Sequence, residues 1–266
     1  MERRILCFVV FFVLLFTVHG VPVKAQTIHS GWTDTPPTID GSINPVSEWD
    51  AADTESFTMG GYSGTMYVMN DASNLYILVV IQDDENEVSD ELHIFFDSIN
   101  RGSGSVEDGE DGLVIFAVTA NPLDFGDIFW DSSIPSWDFD MNDPPGTNDG
   151  SGLATQDGAN WKYFEFAHPL NSDDDDHDFS LDLGDNVGFT IYWKDKYSPT
   201  QFDEFFWPCI WVTPNEYGEI RIAKAAQVPV GGVVLMINKL AVLTPYITTI
   251  IIMALATAII IKKRRH

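Results

Sequence analysis

The stretch from Leu75 to Asp97, LYILVVIQDDENEVSDELHIFFD, constrains the fold of this chain more than any other. Its first run, Leu75 to Ile81, joins β-branched and aromatic residues without a break and is too short for an independent helix. That composition suits a strand buried on both faces. In the second run Leu92, Ile94 and Phe96 point one way while His93, Phe95 and Asp97 point the other. Two such strands joined by an acidic loop make the centre of an antiparallel β-sandwich, and the chain is expected to be all-β.

The rest of the chain fits that frame. Pro36, Pro37 and Asp40-Gly41 mark an extended entry and a turn, and Trp49 is the first large core anchor. Phe57 to Met69 alternates loosely and carries Gly60, Gly61 and Gly64, which reads as a bent or bulged strand. Leu113 to Thr119, Trp161 to Ala167, Val187 to Trp193 and Tyr217 to Lys224 read as further strands. In the second of these, Trp161, Tyr163 and Glu165 share one face, and Lys162, Phe164 and Phe166 share the other. Trp161 and Trp193 are assigned to the core with Trp49. Asn121 to Asn160 shows no clear period and reads as a long irregular segment of the sort that binds something or hides short strands.

The ends point to a compartment. Arg3 and Arg4 precede an apolar stretch from Ile5 to about Val18, followed by small residues near Ala25, the pattern of a secretory signal peptide over residues 1–25. Leu240 to Ile261 is uncharged and long enough to cross about 30 Å of hydrocarbon as a helix. Lys262, Lys263, Arg264 and Arg265 follow it, which by the positive-inside tendency places residues 262–266 in the cytoplasm. The expected organisation is an ectodomain over 26–227, a linker over 228–239 and a single transmembrane helix over 240–261. The protein would sit in the cell membrane with its N-terminal domain outside.

Charge excludes one class of partner. The chain carries a formal charge of −26, and only six of its 14 basic residues lie between Gln26 and Asn238, against 39 of its 40 acids. Nucleic-acid binding needs clustered Lys and Arg, so it is excluded. Cys209 is the one cysteine beyond the expected signal peptide, which leaves no disulfide framework and no zinc site built on thiolates. No GxSxG, HExxH or P-loop occurs, so no enzyme is expected. His93 reads as a partly buried, hydrogen-bonded strand histidine.

Three stretches together resemble a known superfamily: PTIDG with EWDAA, NLYILVVIQDDEN with DELHIFFD, and YFEFAHPLNSDDDDHDFSLDLGDNVGFTIYWKD. Over about Pro37 to Asp195 they are similar to the DOMON-like sandwiches. The first half looks like family 9 carbohydrate-binding modules. The segment at His168-Pro169-Leu170 and the Leu183-Gly184-Asp185 turn look more like haem domains of the ethylbenzene dehydrogenase and dimethyl sulfoxide reductase type. The C-terminal PVGGVVLMINKLAVLTPYI is similar to anchors of archaeal surface proteins.

The resemblance implies a membrane-anchored binding domain and leaves the ligand open. The first reading is haem b, held between a thioether and an amine and passing electrons at the cell surface. Met59, Met66 or Met69 would supply the sulfur and Lys194, or Lys196, the nitrogen, with His168 as a further axial option. A second reading is an extracellular carbohydrate stacked on Trp130, Trp137, Trp207 and Trp211. A purely structural envelope protein is the third. Calcium is compatible with either the haem or the carbohydrate reading, through Asp83, Asp84, Asp174 and Asp176, since it takes six to eight hard oxygens. The oligomeric state is left open.

Overall fold

The computed structural model describes residues 26–43, 46–83, 89–98, 105–117, 121–143, 146–157, 160–172, 177–198 and 200–225. The signal peptide, linker, transmembrane helix and basic tail expected from sequence lie outside these residues. Among the described residues no helix is long and apolar enough to cross a membrane. The chain divides into two compact units, Met1–Ala226 and Gln227–His266, and every described residue belongs to the first.

This first unit is a sandwich of two mixed sheets without an α-helix among the described residues. The six-stranded sheet contains β2 (Gly31–Trp32), β3 (Asp53–Met59), β4 (Tyr62–Asn70), β5 (Asn74–Gln82), β10 (Ser151–Asp157) and β11 (Trp161–Pro169). Its order is β10-β11-β5-β4-β2, with β3 also on β4. The eight-stranded sheet contains β1 (Thr27–His29), β6 (Glu91–Asp97), β7 (Asp111–Ile115), β8 (Phe125–Asp131), β9 (Ser136–Phe139), β12 (Asn186–Ser198), β13 (Gln201–Trp207) and β14 (Gly218–Arg221). Its order is β1-β14-β12-β6-β7-β8-β9, with β13 also on β12.

The purely antiparallel sandwich expected from sequence needs one correction. β1 pairs with β14 and β2 with β4 in parallel, because the N-terminal segment joins an edge of each sheet in turn. Ser30, between the two short strands, donates through its hydroxyl to Asn70, and Asn70 also accepts the Ala223 N–H at 2.9 Å. Entry and exit of the domain are thus tied at one buried amide.

β5 is buried on both faces from Leu75 to Ile81, as its composition requires. Leu75, Ile77, Val79 and Ile81 enter the interior between the sheets, while Tyr76, Leu78 and Val80 pack outward in a cluster with Trp49 and Met69. β6 lies in the other sheet, where Leu92, Ile94 and Phe96 face inward. The two strands therefore lie in different layers. Full burial of a Leu, Ile or Phe side chain contributes about 1.5–3 kcal/mol, and this interior gathers such residues from both sheets.

Phe57 to Met69 is a hairpin rather than one bent strand. Gly60 and Gly61 have φ of 60° and 101°, and Met59 pairs with Tyr62. A two-residue hairpin turn with both central φ positive matches the right-handed twist of the flanking strands, and glycine adopts it without steric cost. Among its described residues the segment 121–160 holds three strands, β8, β9 and β10. β8 lacks a readable apolar alternation because Asp127 occupies an inward position between Phe125 and Phe129. Trp49 and Trp193 are core, at 2% and 0% exposure. Trp161 is 37% exposed and belongs to the surface, contrary to its assignment as core.

Candidate functional site

β11 positions most of the chemistry in the domain. Its inward side chains are Lys162, Phe164, Phe166 and His168, all fully or almost fully buried. Phe164 and Phe166 belong to the apolar interior. The two polar residues close it at opposite ends.

At one end Lys162 donates to Asp83 and to Asp90, and Asp195 from β12 completes a buried triad of carboxylates. Asp90 also accepts the Lys196 N–H at 2.8 Å, and Asp195 accepts the Tyr62 hydroxyl at 2.7 Å. Burial pushes the Asp90 carboxyl up to about 6, opposed by its bonds to Lys162 and Lys196. The cation at this end is the protein's own ammonium. Asp83, a calcium candidate from sequence, therefore serves an internal ion pair. Asp84, Asp174 and Asp176 lie outside the described residues.

At the other end His168 meets Asp111 of β7, Asp127 of β8 and Asp178 of the loop after β11, one ligand-type atom from each lying within 4.8 Å of the others. All four side chains are buried. Burial holds Asp111 well above the usual carboxylate range; the His168 ring opposes this, while Asp127, Asp178 and Asp140 add to it. Asp178 is also raised by burial. Sequence reasoning saw His168 but missed its partners. Asp111, Asp127 and Asp178 stand far apart in a chain rich in acids, and only inward placement on neighbouring elements distinguishes them.

The outer face of the six-stranded sheet carries a shallow concave trough. Ser56, Phe57, Thr58, Ser63, Gly64, Thr65 and Trp161 line a cavity of about 360 Å³. Strand register builds it. Thr58, Ser63, Gln82 and Trp161 form one row across β3, β4, β5 and β11, and Ser56, Thr65, Val80 and Tyr163 form the next. Ser56, Thr58, Ser63 and Gln82 are exposed. Beside the trough, Ile39, Ile43, Trp49 and Ala52 cover the same face, held by Glu165. That carboxylate accepts the Asp40 and Gly41 N–H groups at 2.9 and 2.7 Å and the Trp49 indole N–H at 3.1 Å.

The four tryptophans expected to form a sugar platform separate into two places. Trp130, Trp137 and Trp211 gather on the outer face of the eight-stranded sheet with Phe95. Trp137 stacks on Phe95 at 4.4 Å, whereas the indoles cross one another at 46–73°. They use their faces on each other and on Phe95 instead of presenting parallel open rings. Trp207 is elsewhere, stacked on Phe57 at 4.8 Å and packed on Phe189.

The haem candidates are not brought into one slot. Met59 and Met66 are buried in the interior, and Met69 packs on the outer face of its sheet with Trp49 and Tyr76. Lys194 points out of the opposite sheet, 3.6 Å from Glu91 and with its ammonium 4.2 Å from the Phe202 ring centre. Lys196 pairs with the same Glu91. His93 packs among Phe95, Phe116 and Tyr192, with Nε2 3.8 Å from Glu91; burial pushes its ring below the usual imidazole range against the pull of that carboxylate. Cys209 is half-buried, with Sγ 3.7 Å from the Thr213 carbonyl oxygen.

No family's sequence profile matches the chain, and no curated protein matches it. Solved structures do. A family 9 carbohydrate-binding module from Caldicellulosiruptor kristjanssonii, in complex with cellotriose, is similar at 12% identity with a TM-score of 0.52. That match covers 78% of this chain and 99% of the module. A second structure of a family 9 module from that organism, in complex with glucose, is similar at 14% identity and TM-score 0.52, over 77% and 100%. At such identities the likeness is one of fold. The described residues form a β-sandwich of the kind found in carbohydrate-binding modules.

Proposed function

We propose that the domain is a non-catalytic carbohydrate-binding module, displayed outside the cell on the C-terminal apolar segment. The observation that carries this reading is the trough on the outer face of the six-stranded sheet, where Trp161 closes one end of a bed of hydroxyls from Ser56, Thr58, Ser63 and Thr65. An exposed indole offers area to the apolar face of a pyranose ring, and short hydroxyls orient its rim. Hydroxyls and an indole bind rather than cleave, and no carboxylate pair lines the trough among the described residues. The fold-level likeness to modules solved with cellotriose and glucose supports a gluco-oligosaccharide as the first ligand to try.

Titration of the full chain, purified in detergent, with cello-oligosaccharides tests the reading. Saturable binding is expected, weakened about tenfold or more in Trp161→Ala, as for loss of a stacking ring contributing about 1.4 kcal/mol. Trp211→Ala should leave the affinity unchanged. Failure to bind in a broad glycan screen would overturn the function. Loss of binding in Trp211→Ala with none in Trp161→Ala would move the site to the other sheet.

A further inference from the structure

We infer that His168, Asp111, Asp127 and Asp178 form a buried site for a divalent transition-metal cation of the Zn²⁺ or Mn²⁺ type, holding the two sheets together at one end of the interior. The imidazole orientation argues for it. His168 Nδ1 lies 2.7 Å from the Pro169 carbonyl oxygen, an acceptor, so Nδ1 carries the proton. This leaves Nε2 as the ring nitrogen that faces the carboxylates. Nε2 makes no hydrogen bond and stands 3.5 Å from Asp127 Oδ2 and 3.6 Å from Asp178 Oδ2. Those separations are too long for hydrogen bonds. They match the edge of a tetrahedron with metal–ligand bonds of about 2.1 Å, roughly 3.4 Å.

Outer contacts orient the set as they do around metal ligands. Asp111 Oδ2 accepts the Phe179 N–H at 3.2 Å while its Oδ1, fully buried, makes no hydrogen bond. Asp127 Oδ2 accepts the Asp149 N–H at 2.7 Å. An imidazole–carboxylate set suits zinc or manganese better than calcium, which prefers oxygen alone. The far end of the same strand supplies an internal comparison. There two of three clustered aspartates hold the Lys162 ammonium, whereas here three aspartates gather around an imidazole.

Elemental analysis of the full chain, purified in detergent and dialysed against trace zinc, manganese and calcium together, tests the site. Stoichiometric zinc or manganese is expected, with a melting temperature that falls on chelation and recovers on adding that metal back. Affinity should drop about tenfold or more in Asp178→Asn, a loop substitution chosen to preserve the strands, and in His168→Ala, while Asp83→Asn retains the metal. No bound metal with a melting temperature indifferent to chelator would overturn the proposal. So would calcium as the sole cation taken up, or metal retained undiminished by both His168→Ala and Asp178→Asn. Glycan titration of the same samples is a separate readout, since Trp161 and its hydroxyl bed lie on the outer face.

Discussion

Lys162 and His168 project from one strand into the same interior, separated by the inward rings of Phe164 and Phe166, and each lies at a cluster of three buried aspartates. The sandwich is thus apolar in the middle and ionic at both ends. At the Lys162 end the counter-charge is covalently part of the chain, and its contribution can be measured directly.

Lys162→Met keeps the length of the side chain and removes its charge, leaving Asp83, Asp90 and Asp195 facing one another without the ammonium. Breaking a buried ion pair by deleting one partner costs about 3–5 kcal/mol. Urea unfolding of the variant should show a loss of that size. Replacing Asp83 by Asn in the same background should recover part of it.

Glu165 sets a pH dependence. Burial pushes its carboxyl up to about 7, against the bonds from Gly41, Asp40 and Trp49, so the folded state holds this proton more tightly than the unfolded chain. Its contribution to stability is fully present below the unfolded value of about 4.3 and is lost as pH rises toward 7. Denaturant midpoints measured from pH 5 to pH 8 should decline over that window. The decline should be shallower in Glu165→Gln, and an unchanged slope would show that another group is responsible.

Asn70→Ala removes the amide that receives Ser30 and the Ala223 N–H and donates to the Asp71 and Ala223 carbonyl oxygens. Several buried groups lose a partner at once, at about 1–3 kcal/mol for each one left unsatisfied. A destabilisation of about 2–4 kcal/mol is expected, with faster hydrogen exchange at the Ala223 amide. Unchanged protection there would mean that the Ser30 hydroxyl, which accepts the same N–H at 2.9 Å, suffices to hold the chain end.

Trp211→Ala opens the aromatic cluster formed with Phe95, Trp130 and Trp137. Full burial of a tryptophan would cost about 3–5 kcal/mol on truncation. Trp211 is only half-buried, so about 1–3 kcal/mol is expected by thermal unfolding. Trp161→Ala should cost less, because that ring stands 37% exposed at the rim of its trough.

Much of the sandwich was legible from side-chain periodicity. Uninterrupted burial of Leu75 to Ile81 and the alternation in β6, β11 and β12 follow from apolar spacing alone. β8 escaped because Asp127 stands where an apolar residue would keep the rhythm, and the residue that obscured the strand is one of the inferred ligands. β1 and β2 escaped because two or three residues have no period to read. The expected tryptophan platform rested on residue type. Indoles can equally satisfy one another, as Trp130, Trp137 and Trp211 do, and separating the cases requires the cross-strand register that brings Trp161 level with Ser63 and Gln82.

The six residues from Thr27 to Trp32 seal β14 in one layer and the tail of β4 in the other. A protease cut just after Trp32 would therefore bare strand backbone in both layers at once, and naked strand edges recruit strands from neighbouring molecules. This short N-terminal ribbon would thus act as a guard against self-association, and trimming it would open the domain to strand exchange.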